Sequence, residues 1–468
     1  MIRLICRKEL TEVFRTATMS WLLAGMVVLV GLALYNGYTY AIDHQQLLSE
    51  SQQVTYQQFI NQGNKNPHLG AHFGFYAYKP MSDLALLENG IDDYTGNSFY
   101  LEPHQRGIVR FKEITDSTAL RSFGFLNIGY FVQFILPLFI FLLSHNLFAK
   151  EWENGTIKMV LSSRVTARRL FAGKLLAGWL LVSALLALVI LIPLGLLLGQ
   201  PQPVNLGTIL PTYACYAIGL VVYAALLTVL GVSVSLLTRS SALALVLLTG
   251  FWLLGVFLVP RLVAELSRRV YPSITSVEFD RKTFREKEYG IGNEGTKDFR
   301  REQLKNRTLK QYGVSRLEDL PVFFIPITIE YFEESDGKIM DQAYQAIETN
   351  ENRQDRLILA SAILSPFLAF RDLSMHLTAT DMNTHYDFAA KAELHRRKVG
   401  EQVDAYYQKN TTASNAFWKT VPQFAYCPPG LSWRLTNALG AIGILLLWSM
   451  AVAGLMVVAY RRMRISVQ

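Results

Sequence analysis

Gly290, Gly292 and Gly295 in GIGNEGTK have the GxGxxG spacing that lets a backbone come close to a dinucleotide pyrophosphate. That use needs a buried strand before the glycines and a helix after them, whereas the charged run DRKTFREKEY precedes them here. Thr296-Lys297 also reverses the Lys-Thr order of a phosphate-cradling loop, so the stretch reads as a charged, glycine-rich loop. His68 and His72 in HLGAHFG are spaced i, i+4, but a zinc or copper site needs three or four converging ligands. The pair lacks a neighbouring Glu and sits among glycines, so His68 and His72 are weak metal candidates. No GxSxG, Cys/His or paired-carboxylate arrangement stands out, and Cys6, Cys215 and Cys427 have no CxxC-type spacing and are expected to stay unpaired. The chain is expected not to be an enzyme by itself, with no catalytic residues, no metal and no cofactor of its own.

The elements that would position such residues are set by hydropathy. The chain has 468 residues, a formal net charge of +8 and a mean hydropathy of +0.22, and only 18% of its residues are charged, against about a quarter in soluble domains. No basic stripe interleaved with aromatics points to nucleic acid. Six segments reach the ~20 apolar residues that a helix needs to cross a bilayer: 19–40, 125–147, 170–198, 209–237, 241–262 and 437–460. The first is too long for a signal-peptide core and reads as a retained anchor. Arg3, Arg7, Lys8 and Arg15, the cluster from Lys150 to Lys174, Arg239 and YRRMRISVQ all fall on one side if both termini are cytoplasmic. This predicts an α-helical membrane protein of six transmembrane helices, with a mixed, mainly helical external domain built from two insertions, 41–124 and 263–436. Cytoplasmic pieces would be 1–18, 148–169 and 461–468.

The outer segments have different textures. Residues 41–124, rich in Gln, Asn, Gly and Tyr, read as a loop-rich lobe with little helix after about residue 60. DFAAKAELHRRKVGEQVDAYY places Ala389, Ala392, Arg396, Val399, Val403 and Tyr406 along one helical face, with Asp381 or Thr384 as cap. PVFFIPITIE, 321–330, is β-branched, aromatic and proline-bounded and predicts a strand or extended stretch. LILASAILSPFLAF, 357–370, is too short to span and is expected to be a buried core helix or a re-entrant segment.

The spans hold no Asp or Glu at their centres, which disfavours an ion-coupled transporter. Asn127 and Gln133 are the notable polar groups of span two and mark a possible transport path. Between spans two and three, ENGTIKMVLSSRVTARRL has Ile157, Val160 and Leu161 at three- and four-residue spacing, which suits a short amphipathic helix along the membrane face.

The run Glu151, Glu153, Gly155-Thr156, Leu161-Ser162, Arg168 and Gly173-Lys174, ahead of an apolar span, resembles the ABC-2 type permease family. LICRKELTEVFRT resembles that family's interfacial elbow helix. The six-span layout and LSPFLAFRDLSMHLTATD followed by AELHRRKV resemble a subgroup with a large external insertion between spans five and six. Arg164 departs from the proline the family often has there. The resemblance implies a coupling helix docking into a separate cytoplasmic ATPase, with Glu151, Glu153, Gly155, Thr156, Ile157, Leu161 and Arg164 as coupling residues. ATP and Mg would be held by that partner. It further implies two ATPase copies, a second permease copy or a related permease, and a bacterial inner-membrane location with the large domain periplasmic. The leading expectation is the permease subunit of an exporter. The alternatives are an ABC-powered mechanotransmitter acting on external partner proteins, or a membrane receptor or scaffold without an ATPase.

Overall fold

Six helices are long and apolar enough to cross a membrane in the computed structural model, which describes residues 1–102, 109–110, 126–162, 165–199 and 205–467. Span one is Ala17–Ile60, span two Ile128–Glu153, span three Ala167–Leu198, span four Leu206–Leu237, span five Ser241–Val270 and span six Leu439–Arg464. Spans two and four are mostly buried and form the centre of the bundle. The other four turn apolar side chains such as Trp21, Leu191, Val246 and Met450 outward, as lipid-facing helices do. One face of the bundle carries the helix Ile2–Arg15, the helix Thr156–Ser162, the turn at 238–240 and the end of span six; its clustered Lys and Arg make it the basic face. The opposite face carries the extramembrane domain.

Prolines shape two of the spans. Span two widens into a π turn at Phe131–Ile135 just before Pro137, and span five does so at Leu254–Leu258 just before Pro260. A proline has no N–H to return to the turn before it, so backbone carbonyls are freed there. Carbonyls in both turns take side-chain donors: Phe134 O accepts Trp252 Nε1 at 2.9 Å, and Gly255 O accepts Ser365 Oγ at 2.9 Å. Gly231 lets span four approach span two, since a Cβ there would lie 1.9 Å from Ser144 Oγ.

The stretch 357–370 enters the bundle. The helix Phe324–Ser361 ends, the chain turns at 362–365, and the helix Pro366–Thr378 returns. Ser365 is extended, as a residue before proline prefers. Phe367, Leu368, Ala369, Phe370, Leu373 and Leu377 are buried in the same core as spans two and four. Phe370 stacks on Tyr223 with centroids 4.4 Å apart, and Trp448 Nε1 donates to Ala362 O at 3.1 Å.

A second core lies in the extramembrane domain and draws on both insertions. Phe59 and Ile60 from the end of span one join Phe75, Phe99 and Leu101 of a small sheet, Phe388, Ala392, Val399 and Val403 of the helix Met382–Tyr407, and Trp418 and Val421. The sheet is antiparallel, β1 (Phe75–Tyr78), β2 (Ser98–Leu101), β3 (Val109–Arg110), with Phe75 opposite Leu101. Asp381 caps Met382–Tyr407 by accepting from Asn383 N and Thr384 N, and Phe388 rather than Ala389 is the buried residue at the start of its inner face. Glycines at 290, 292 and 295 all have positive φ in a turn between the helices Ser276–Tyr289 and Lys297–Tyr312, the shape of a loop that only glycine adopts freely.

One expectation fails outright. Residues 321–330 are not a strand: the helix Phe324–Ser361 begins there and runs for 38 residues. Pro326 falls in its first turn, where a missing N–H costs nothing. The β-branched residues Ile327 and Thr328 are held helical by packing, with Thr328 and Phe332 buried.

Candidate functional site

Two places collect polar chemistry inside this apolar frame. On the basic face, the helix Ile2–Arg15 lies against the start of span three. Gly173 permits the approach, since a Cβ there would lie 2.7 Å from the Ile5 side chain. The next residue, Lys174, is only 2% exposed, and its Nζ lies 2.9 Å from both Glu9 Oε1 and Glu151 Oε1. Lys8 borders the same pair at 3.3 and 3.6 Å. Gly173-Lys174 therefore join three elements: glycine for closeness, lysine for a buried charge bridge between the N-terminal helix and the end of span two. Glu151 belongs to this bridge and is not a free docking residue.

Beyond Glu151 the chain turns at Asn154 and Gly155, whose φ of +69° favours glycine. The helix Thr156–Ser162 follows. Its orientation corrects the expectation for Ile157, which is 1% exposed and packs with Phe148, Phe171, Leu236 and Met463. Ile157 anchors the helix and presents nothing outward. The outer side is Lys158, Met159, 70% exposed, and Ser162, flanked by half-buried Thr156, Val160 and Leu161. Glu153 is exposed, and its Oε2 accepts from Ser241 N at 3.1 Å, at the start of span five where backbone N–H groups lack helical partners. The guanidinium of Arg239 sits over the Trp152 ring, 5.7 Å from its centroid. Arg164 lies outside the described residues.

The second place is where the bundle meets the extramembrane domain. The turn containing Leu84 and Leu87 buries both in the bundle core and carries Glu88 in with them. Glu88 accepts from Gly90 N at 3.1 Å and from Ser374 Oγ at 3.1 Å, and also from Gln133 Nε2 in the π turn of span two. Gly129 faces the carboxylate with no side chain of its own; a Cβ there would lie 2.8 Å from Glu88. Burial pushes the Glu88 carboxyl above its ordinary range, against the pull of Arg371 and these donors. Gly90 is equally constrained, with a positive φ and a Cβ position 2.2 Å from Thr380 O. Asn127 accepts from Tyr130 N at 2.7 Å and caps span two. So Asn127 and Gln133, both buried, are already hydrogen-bonded within the chain.

Alongside, His376 lies between Asp372, at 3.6 Å, and Asp381, at 3.1 Å but off the angle of a full hydrogen bond. Burial alone would lower the His376 pKa, but Asp381, Asp372 and Asp355 together hold it above its ordinary value. Burial pushes the Asp372 carboxyl up to about 6 despite His376. For Asp381 burial is outweighed by His376 and Thr384, which hold it below the usual range. Neither Glu88 nor this set stood out in the sequence. The one signal was the apolar run Leu84–Leu87 directly before a glutamate in an otherwise polar loop.

His68 and His72 do come together, with ring centroids 4.8 Å apart, and His72 Nδ1 lies 2.8 Å from Glu102 Oε1. Among the described residues no group of three His, Cys, Asp or Glu side chains is placed to hold a metal ion. Cys6, Cys215 and Cys427 are unbridged.

Residues 107–255 match a family model described as ABC-2 family transporter protein, a range that takes in spans two to four, the first half of span five and the connection carrying Thr156–Ser162. Residues 277–427 match a second, described as a domain of unknown function, DUF3526, which covers the extramembrane helices and Pro366–Thr378. No curated protein matches the chain. With six membrane-length helices, the first match supports a multi-pass ABC-2 type permease, the membrane component of an ABC transporter and not its catalytic part.

Proposed function

We propose that the chain is the membrane-spanning subunit of an ATP-driven exporter, coupled on its basic, cytoplasmic face to a separate ATPase that holds ATP and Mg. Two ATPase copies and a second permease copy would complete the transporter, in a bacterial inner membrane with the large domain outside. The observation that carries this reading is the helix Thr156–Ser162. It is pinned from beneath by Ile157 and offers Met159 and Lys158 outward. The Lys174 bridge and the Glu153–Ser241 bond tie the preceding helical segment to the N-terminal helix, span three and span five. A push on that helix is therefore delivered to several spans at once. Of the coupling residues inferred from the sequence, Glu153, Gly155, Thr156 and Leu161 lie on or beside the outer side.

The test is Met159→Asp combined with Lys158→Glu in the full chain, extracted in mild detergent. Losing a buried Met anchor is worth about 1.5–3 kcal/mol, so the co-purifying ATPase should fall at least tenfold while the amount of folded permease is unchanged. Unchanged recovery of the ATPase overturns the coupling assignment. Ile157→Asp is the contrasting variant, which lowers the yield of the permease itself.

A mechanical reading is favoured by one further observation. Span one is a single helix of 44 residues, about 66 Å at 1.5 Å per residue. It joins the bundle core at Met26 and Val30 to the extramembrane core at Phe59 and Ile60. Such a rod could pass movement to external partner proteins without a substrate between the spans. Substitutions at Gln133 that abolish export yet spare ATP hydrolysis would favour transport over this reading.

A further inference from the structure

Between the start of span three and the end of span six, on the basic face, lies an open-sided groove of about 570 Å³ lined by Arg168, Phe171, Met456, Val457, Tyr460, Arg461 and Arg464. Ligand sites typically fall within about 300–1,000 Å³. Arg168 and Phe171 are three apart on one helix, and Val457, Arg461 and Arg464 follow four- and three-residue steps on the other, so each helix turns one stripe into the groove. The floor is fixed: Phe171 stacks on Phe148 and meets Tyr460 edge-on at 5.6 Å, over the core containing Ile157 and Met463. Arg168, Arg461 and Arg464 are exposed and have no acidic partner among the described residues, whereas Lys174 close by is saturated with carboxylates.

We propose that this groove binds an anionic glycerophospholipid of the adjoining leaflet, its phosphate held by Arg168, Arg461 and Arg464 and its upper acyl chains on Val457 and Met456. Two properties select a lipid over a soluble anion or a protein. Three arginines line one groove, and their forked guanidinium donors suit phosphate oxygens. The apolar side of the groove continues along span six from Val457 to exposed Met450, two turns back toward the middle of that span's apolar stretch, which suits an acyl chain and gives a soluble ligand little. The lipid would also brace span six against span three beside the helix Thr156–Ser162.

The test uses the full chain in phosphatidylcholine nanodiscs containing spin-labelled phosphatidylglycerol, with spin-labelled phosphatidylcholine as the neutral arm. The expected result is an immobilised phosphatidylglycerol component, absent for phosphatidylcholine, that weakens roughly tenfold or more in Arg461→Gln/Arg464→Gln. Arg169→Gln/Arg462→Gln removes the same charge from neighbouring positions outside the groove and should leave the component nearly intact. Equal loss in both pairs would mean diffuse surface attraction, and would overturn the proposal. So would equal immobilisation of the two lipids, or displacement by millimolar inorganic phosphate, which would identify a small-anion site. Groove arginines that alter co-purification of the ATPase or a second permease copy without altering lipid immobilisation would assign the groove to a protein partner instead.

Discussion

Replacing Lys174 with Met should detach the N-terminal helix from the bundle while leaving the spans folded. The Lys174 side chain is 2% exposed and bridges Glu9 and Glu151, which are 7% and 9% exposed. Methionine fills much of the same volume, so packing against Phe148, over which the ammonium now sits at 5.5 Å, is largely kept. What is lost is the charge that lets two carboxylates share one buried place. Removing one partner of a buried pair costs about 3–5 kcal/mol. Lys8, about half exposed and 3.3 Å from Glu9, compensates part of that, which puts the net at the lower end, about 3 kcal/mol. At 1.4 kcal/mol per factor of ten, this raises the population of a lifted helix about a hundredfold.

The chain contains its own reporter. Cys6, 5% exposed, lies on the buried side of that helix, while Cys215 is half-buried and Cys427 exposed. In a Cys215→Ala/Cys427→Ser background, Cys6 should react slowly with a maleimide in the otherwise native chain and about a hundred times faster after Lys174→Met. The triple change Glu9→Gln/Glu151→Gln/Lys174→Met, which removes every charge of the bridge, should restore most of the protection, because no carboxylate is left stranded. If Lys174→Met leaves Cys6 as protected as before, the bridge does not hold the helix and the reasoning fails.

Glu88→Ala strands the Gln133 and Ser374 donors and should lower stability by about 2–4 kcal/mol, seen as a fall in the detergent melting temperature, whereas Glu88→Gln keeps one acceptor oxygen for both donors and should cost less. A larger loss from Gln than from Ala would refute the hydrogen-bond account. Gly173→Val should also free Cys6, because its side chain would meet Ile5; unchanged maleimide reactivity would mean the contact is slack. In the extramembrane domain, burial and neighbouring Glu330 push Asp404 up to about 7 from a reference of 3.8. The native state then binds a proton that the unfolded chain releases, so this group's contribution to stability falls as pH rises from about 4 to about 7. Denaturant unfolding followed by Trp418 fluorescence should show that slope flattened in Asp404→Asn, and an identical pH profile for the two proteins would refute the assignment.

The spans were legible because transfer into hydrocarbon is additive over a local window and needs no knowledge of neighbours. The participation of both insertions in one extramembrane core was legible for a similar reason, since the shorter alone would bury little. Direction was harder to read. Three- and four-residue spacing of Ile157, Val160 and Leu161 identifies a ridge but not the side it faces. Ile157 turned out to face the core formed by Phe148, Phe171, Leu236 and Met463, leaving the outer side to Met159, which the spacing had passed over. The strand expected at 321–330 failed because β-branched composition is a weak local preference, while Thr328 and Phe332 gain more by packing inside a 38-residue helix.

The polar junction was illegible for a deeper reason. The observation that the spans carry no central carboxylate was sound for the spans, yet the bundle core is not made of spans alone. The helix Pro366–Thr378 brings Ser374 into it, and the turn at Leu84–Leu87 brings Glu88, so a carboxylate, a hydroxyl and the span-two amide of Gln133 meet from three segments far apart in the chain. An argument from the absence of ionisable residues in transmembrane segments therefore applies only after connecting segments have been shown to stay outside. Here the apolar run before Glu88 and the near-span at 357–370 were the two places where polar connections carried more hydrophobic surface than a solvated loop has use for. Each of them is where the chain goes inward, and together they bring the extramembrane domain into contact with the π turn of span two, the most buried of the six spans.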